Sequence, residues 1–143
     1  MEASGEYAGI NLTESTICGT FDMKKKAKLN LKKLTAAFFQ LGSGREPMRE
    51  WLLQLEAADR KLIGDDIRTA EFGWPIGMPI CRSIAGRTGL WEVRTNLPNK
   101  RIARVLFFVK GKRMVLLHGL IKKTQKTPKQ DLDLAEKRMK AVL

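Results

Sequence analysis

Between Gly89 and Lys126, apolar residues gather in three runs of strand length. They read GLWEVR, RIARVLFFV and RMVLLHGLIKK, separated by the short polar stretches NLPNK and KGK. The runs are rich in Val, Ile, Leu, Phe and Trp, side chains that fit a pleated surface. Pro98-Asn99 and Gly111 supply turn chemistry. The pattern predicts an antiparallel three-stranded meander with strands near 90–95, 101–109 and 113–122.

Register decides which side chains meet. A loop centred on Gly111 pairs Val109 with Arg113, Phe107 with Val115 and Val105 with Leu117, and sets Arg104 opposite His118. A matching register about Asn99 sets Arg94 opposite Arg104. Odd-numbered positions then form a nearly all-apolar face, the expected core side. Even-numbered positions carry Glu92, Arg94, Arg104, His118 and Lys122 among apolar neighbours. A two-residue Gly111-Lys112 turn would instead shift the last pairing by one.

The flanks add further elements. Leu34 to Leu41 predicts a first strand, closed by Gly42-Ser43-Gly44. Ser43, Glu46 and Pro47 mark a helix start, and Met48, Trp51, Leu52 and Leu55 fall on one helical face. A second helix is expected from near Ala57, with Leu62, Ile63, Ile67 and Ala70 as its apolar stripe and Asp59 off it. Phe72 to Pro79, with two prolines and two glycines, ends that helix; Trp74 and Met78 are expected to plug the core edge. Ile80 to Ile84 predicts a short strand. Thr124 or Thr127 is placed to cap a last helix with Pro128 in its first turn, buried through Leu132, Ala135, Met139 and Val142. The expected fold is α+β: a small antiparallel sheet, made of the meander plus an N-terminal strand, with two helices in the N-terminal half and a C-terminal helix.

At 143 residues the chain can bury a single core without staples. Residues 1–32 are expected to be an N-terminal extension, docking through Tyr7, Ile10 or Phe21, and 33–143 the folded domain. Charge changes the picture more than length does. Twenty-seven Lys and Arg against fifteen Asp and Glu give +12. Residues 1–22 hold Glu2, Glu6, Glu14 and Asp22 and no base, so the remaining 121 residues carry +16. Such a field attracts polyanions. Met23 opens the basic run KKKAKLNLKK, where contact with phosphate competes with the commoner role of a solvated charged stretch.

Cys18 and Cys81 are far apart, and one histidine cannot complete a zinc site with them, so neither a metal nor a cofactor is expected. Two free thiols suit a reducing, cytoplasmic setting. No apolar run reaches membrane-spanning length, and the first residues lack the pattern of a signal peptide.

No glycine-rich phosphate loop is present. A basic constellation on a sheet remains: Arg94, Arg104, His118, Lys122 and Lys123. It suits phosphodiester chemistry on RNA, which carries its own nucleophile, the 2′-hydroxyl. Cleavage needs a base, cations to stabilise the transition-state charge, and an acid for the leaving oxygen. His118 carries an imidazole, a side chain that suits proton transfer, although a lone histidine in an apolar strand is more often a hydrogen-bonded core residue. Arg104 is harder to dismiss, because a charge in an apolar strand requires a partner. Glu92 is either a base or the salt-bridge partner of Arg94.

GLWEVR, RIARVLFFV and MVLLHGLIKKTQKTPKQDLDLAEKR together resemble the RelE/ParE toxin superfamily, and most closely its phage-related, HigB-like branch. SGREPMREWL and GDDIRTAEFGWPIGMP add to the resemblance, which covers about residues 33–143. The most specific part is Gly119 to Pro128; Leu120 stands where that family often has Phe. The resemblance implies a RelE-like α+β fold and a toxin of a type II toxin–antitoxin system. It implies a ribosome-dependent endoribonuclease that cuts mRNA, silenced by a helix-turn-helix antitoxin with an acidic surface or segment. The family's strand arginines map onto Arg94 and Arg104, and its basic pair onto Lys122 and Lys123. The expected catalytic set is thus Arg94, Arg104, His118 and Lys122, with Arg101, Lys123 and Lys126 binding RNA; His118 comes from register alone. ParE-like members poison gyrase on the same fold, so gyrase inhibition, or a non-catalytic RNA-binding block of translation, are the alternatives.

Overall fold

The computed structural model describes residues 32–143. The expected extension, its docking residues, Cys18 and most of the basic run lie outside the described residues. In chain order the elements are β1 (Thr35–Phe38), α1 (Pro47–Gln54), α2 (Ala57–Gly73), β2 (Cys81–Ser83), β3 (Trp91–Leu97), β4 (Arg101–Lys110), β5 (Arg113–Lys122) and α3 (Lys129–Val142). They form one five-stranded sheet ordered β1-β5-β4-β3-β2. The meander β3-β4-β5 is antiparallel, as the apolar runs predict. β1 joins β5 in parallel, so the sheet is mixed.

The sheet is covered on both sides. One core packs α1 and α2 (Met48, Leu52, Ile63, Ile67, Ala70) on Val93, Val105, Phe107, Met114 and Leu116. The other packs α3 (Ala135, Met139) on Leu106, Phe108, Val115, Leu117 and Leu120. Full burial of such side chains contributes about 1.5–3 kcal/mol each. Trp74 plugs the first core as expected, edge-on to Trp91 and Phe107 at 4.8 and 5.8 Å between ring centroids. Met78 does not; it is exposed. Leu62, expected in the α2 stripe, is also exposed, and Asp59 is buried in its stead because it pairs with Arg101.

The β4–β5 register departs from the expected one in two steps. Gly111-Lys112 forms a two-residue turn, with Gly111 at φ +64°, so Lys110 pairs with Arg113 and Phe107 with Leu116. A β-bulge between Leu106 and Phe107 then shifts the ladder again, and Leu106 pairs with His118. Arg104 consequently lies opposite Leu120, not His118. The two one-residue slips add to two, the period of a strand. Arg104 and His118 therefore stay on one face while their pairing is lost. Between turn and bulge the faces do exchange: Met114 and Leu116 point to α1 and α2, whereas Val115 and Leu117 point to α3.

Helix ends also differ from expectation. Glu46 and Pro128 occupy the N-cap positions of α1 and α3, neither with a side-chain cap, and Pro47 opens α1. Neither Ser43 nor Thr124 caps a helix. Thr127 turns away from α3 and donates to Glu92 instead.

Candidate anion site under the loop after β5

The turn after β3 is centred on Asn99, as the expected register requires, although β3 runs on to Leu97 and leaves a loop shorter than the expected one. Asn99 and Lys100 adopt positive φ, and Arg94 pairs with Arg104. Both arginines sit on the α3 face of the sheet. β2 adds a third: Arg82 lies opposite Glu92 on β3. Arg82 and Arg94 contact one carboxylate, and Arg104 lies near enough to feel its charge. Glu92 is fully buried; its Oε2 is 2.7 Å from Arg82 Nη2 and 3.5 Å from Arg94 Nη1. Its Oε1 accepts from Thr127 Oγ1 at 2.9 Å. Two guanidinium groups on this carboxylate, with Arg104 beside Arg94, leave a local charge of +2.

Arg104 is the anomaly. It is wholly buried. Nη2 donates to the Thr124 carbonyl, while Nε and Nη1 meet no acceptor among the described residues. Burial first, and then the Arg94 charge, pull its pKa below the usual guanidinium value; Glu92 pulls it back and Arg82 adds to the fall. An arginine remains protonated nonetheless. Arg94, only 11% exposed, donates through Nη2 to the Gln125 carbonyl at 3.2 Å and to its Oε1 at 3.1 Å. Residues 124–127 thus form a cover of carbonyl and hydroxyl groups over the arginines.

His118 is the diagonal neighbour of Arg104 on the same face, and such positions lie roughly 7–8 Å apart. Its Nε2 is 2.7 Å from Asp131 Oδ1 in the first turn of α3. It also lines a groove of about 190 Å³ with Pro47, Met48, Trp51, Gly119 and Arg138. Lys122 ends β5 opposite Ile102 and is exposed, as are Lys123 and Lys126 on the covering loop. Arg101 stands apart. It reaches across the α2 side to Asp59, with contacts of 2.9 and 3.1 Å. Cys81 offers no nucleophile: burial, with Asp66 adding to it, pushes its thiol up to about 11.

Arg94 and Arg104 are therefore brought together, His118 is near them, Lys122, Lys123 and Lys126 ring the cover, and Arg101 is elsewhere. Arg82 and Asp131 escape a reading of the sequence. The strand that carries Arg82 has three residues, and nothing local says that Asp131 will face β5.

A comparison with protein families matches residues 50–140 to the family described as "Phage derived protein Gp49-like (DUF891)". The chain belongs to this phage-derived Gp49-like family. The match runs from within α1 into α3 and so contains every residue of the arginine cluster. The Gp49-like family is toxin-like, within the RelE-type toxin superfamily, and an antitoxin is the partner such a family implies. A search of curated proteins gave no match. Among the described residues, no helix is long and apolar enough to cross a membrane.

Proposed function

We propose that this Gp49-like protein is the toxin of a type II toxin–antitoxin system, of the HigB-like branch, and cuts mRNA on the ribosome. Arg104 carries the proposal. A buried arginine with two unused donors, beside two more arginines and one carboxylate, is a site short of an anion. The scissile phosphate supplies that anion. Arg94 and Arg104 would bind it and stabilise the charge that develops as the 2′-hydroxyl attacks. His118, oriented by Asp131, would move the proton. Lys122, at the end of β5, would add charge, and Lys123 and Lys126 would hold flanking phosphates.

The cover of residues 124–127 must move aside for this. Its carbonyls at Thr124 and Gln125 are the groups that phosphate oxygens would replace. That same shielding favours the second reading, a toxin that binds without cutting, whether its target is RNA or gyrase. Mapping of 5′ ends on cellular mRNA after induction separates the two. New ends at codon boundaries support the nuclease; arrested growth with intact mRNA and induced DNA damage supports a gyrase poison. The basic chain also implies an acidic, helix-turn-helix antitoxin, whose complex is expected to weaken as salt is raised.

A further inference from the structure

The end of the sheet farthest from the arginine cluster gathers cations of its own. The β4–β5 turn presents Lys110, Lys112 and Arg113, all exposed. β1 starts beside them: Thr35 pairs with Arg113, and its N–H donates to the Lys112 carbonyl at 2.8 Å. That contact brings Lys32 and Lys33 to the same end, held there by the Lys33 and Leu34 amides on the Glu71 carbonyl at 2.9 and 3.0 Å. Arg68, one turn before Glu71 on α2, is exposed and close enough to act on that carboxylate. Among the described residues, Lys32 pairs with buried Glu71 at 3.2 Å, and Lys110 donates to the Val142 carbonyl at 2.9 Å. None of Lys33, Arg68, Lys112 and Arg113 pairs with a carboxylate among the described residues.

We propose that this sheet end is a docking surface for the phosphate backbone of RNA, separate from the arginine cluster. Neighbouring strands stand about 5 Å apart, so the cations form a row within one screening length of each other. Such a row is self-repelling until a polyanion covers it. A membrane surface fits less well, because interfacial binding adds apolar anchors to the cations. Among the described residues, the exposed large apolar side chains Leu53, Leu62 and Met78 lie outside the turn and β1, and Leu143 alone borders the patch, next to the Val142 carbonyl that accepts from Lys110 at 2.9 Å.

The test is the salt dependence of binding to a short fluorescent 2′-O-methyl oligouridylate. Its 2′ oxygens are blocked, so it cannot be cut whatever the arginine cluster does. Each lost contact lowers the slope of log affinity against log salt by about 0.7 for a single strand, so the triple variant Lys33→Gln, Lys112→Gln, Arg113→Gln is expected to lose about 2. Arg113→Gln alone is expected to lose about a third of that, and guards against a folding defect in the triple variant. The control Arg45→Gln, Lys61→Gln, Lys129→Gln removes the same charge from residues already paired to Glu50, Asp65 and Asp133, and is expected to keep the wild-type slope. An unchanged slope in the first triple overturns the proposal, as does an equal drop in the control. Binding to phosphatidylserine vesicles or polyglutamate in place of the oligonucleotide overturns it too.

Discussion

The two faces of the sheet solve burial in different ways. Toward α1 and α2, the described interior is mainly aliphatic and aromatic, broken by buried Thr95 beside Asp66, and its ion pairs, Asp59–Arg101 and Glu71–Lys32, lie at the rims. Toward α3, the half nearest the β4–β5 turn is equally apolar, but the other half is ionic. There Glu92 and Arg104 are both wholly buried, and the cations outnumber the carboxylate. An aliphatic side chain at position 104 would fill the space without the desolvation cost. The first face is what stability alone selects. The second keeps a costly group, which points to function rather than packing.

Substitutions can sharpen or break that contrast. Glu92→Ala is expected to have the largest effect, about 3–5 kcal/mol lost in urea unfolding, because it strands buried cations without their counter-charge. A loss near zero would mean the arginines are solvated and the ionic face is not a closed site. On the apolar face, Phe107→Ala is expected to cost about 3–5 kcal/mol by the same measurement, as an aromatic lost from a close-packed core. Gly119→Ala comes next, at about 1–3 kcal/mol. A Cβ there would meet the Trp51 ring at 2.5 Å, so α1 must shift; tryptophan fluorescence would report the displacement.

The smallest effect concerns pH. Burial raises the Glu71 pKa, against the opposing pull of Lys32 and the Ala36 amide. The native state then binds this proton more tightly than the unfolded chain does. Stability from this group is full below the ordinary glutamate range and is lost as pH rises through the raised value. Wild type minus Glu71→Gln, measured across that window by chemical denaturation, should therefore fall with rising pH. A difference that rises with pH would show that Lys32 outweighs burial.

Much of this was legible in the sequence, and the failures have physical causes. Arg94 opposite Arg104 followed from a register centred on Asn99, where Pro98 and Asn99 mark the turn. The β5 register did not, because Met114 to Leu117 are apolar on both faces of a sheet that is covered on both sides. With no alternation of apolar and polar residues, nothing pins a bulge to one position. His118 kept its face only because two slips cancelled. Arg82 was hidden in a three-residue strand, and the pairing of Asp131 with His118 depends on how α3 docks. Asp59 lies off the apolar stripe of α2, and helical periodicity says nothing of its burial because its partner, Arg101, is distant in sequence. The family match, over residues 50–140, adds a toxin-like identity that the fold alone does not carry.

Arg104→Met offers the most direct test, because it removes the buried charge while keeping the volume filled. Unfolding stability and mRNA 5′ ends after induction would be read on the same variant. Stability is expected to hold, or to rise by about 1–4 kcal/mol as buried ionic groups yield to apolar ones, while the codon-boundary ends made by wild type disappear. A destabilised protein that still cuts mRNA would contradict the account, since Arg104 would then serve the fold and not the phosphate.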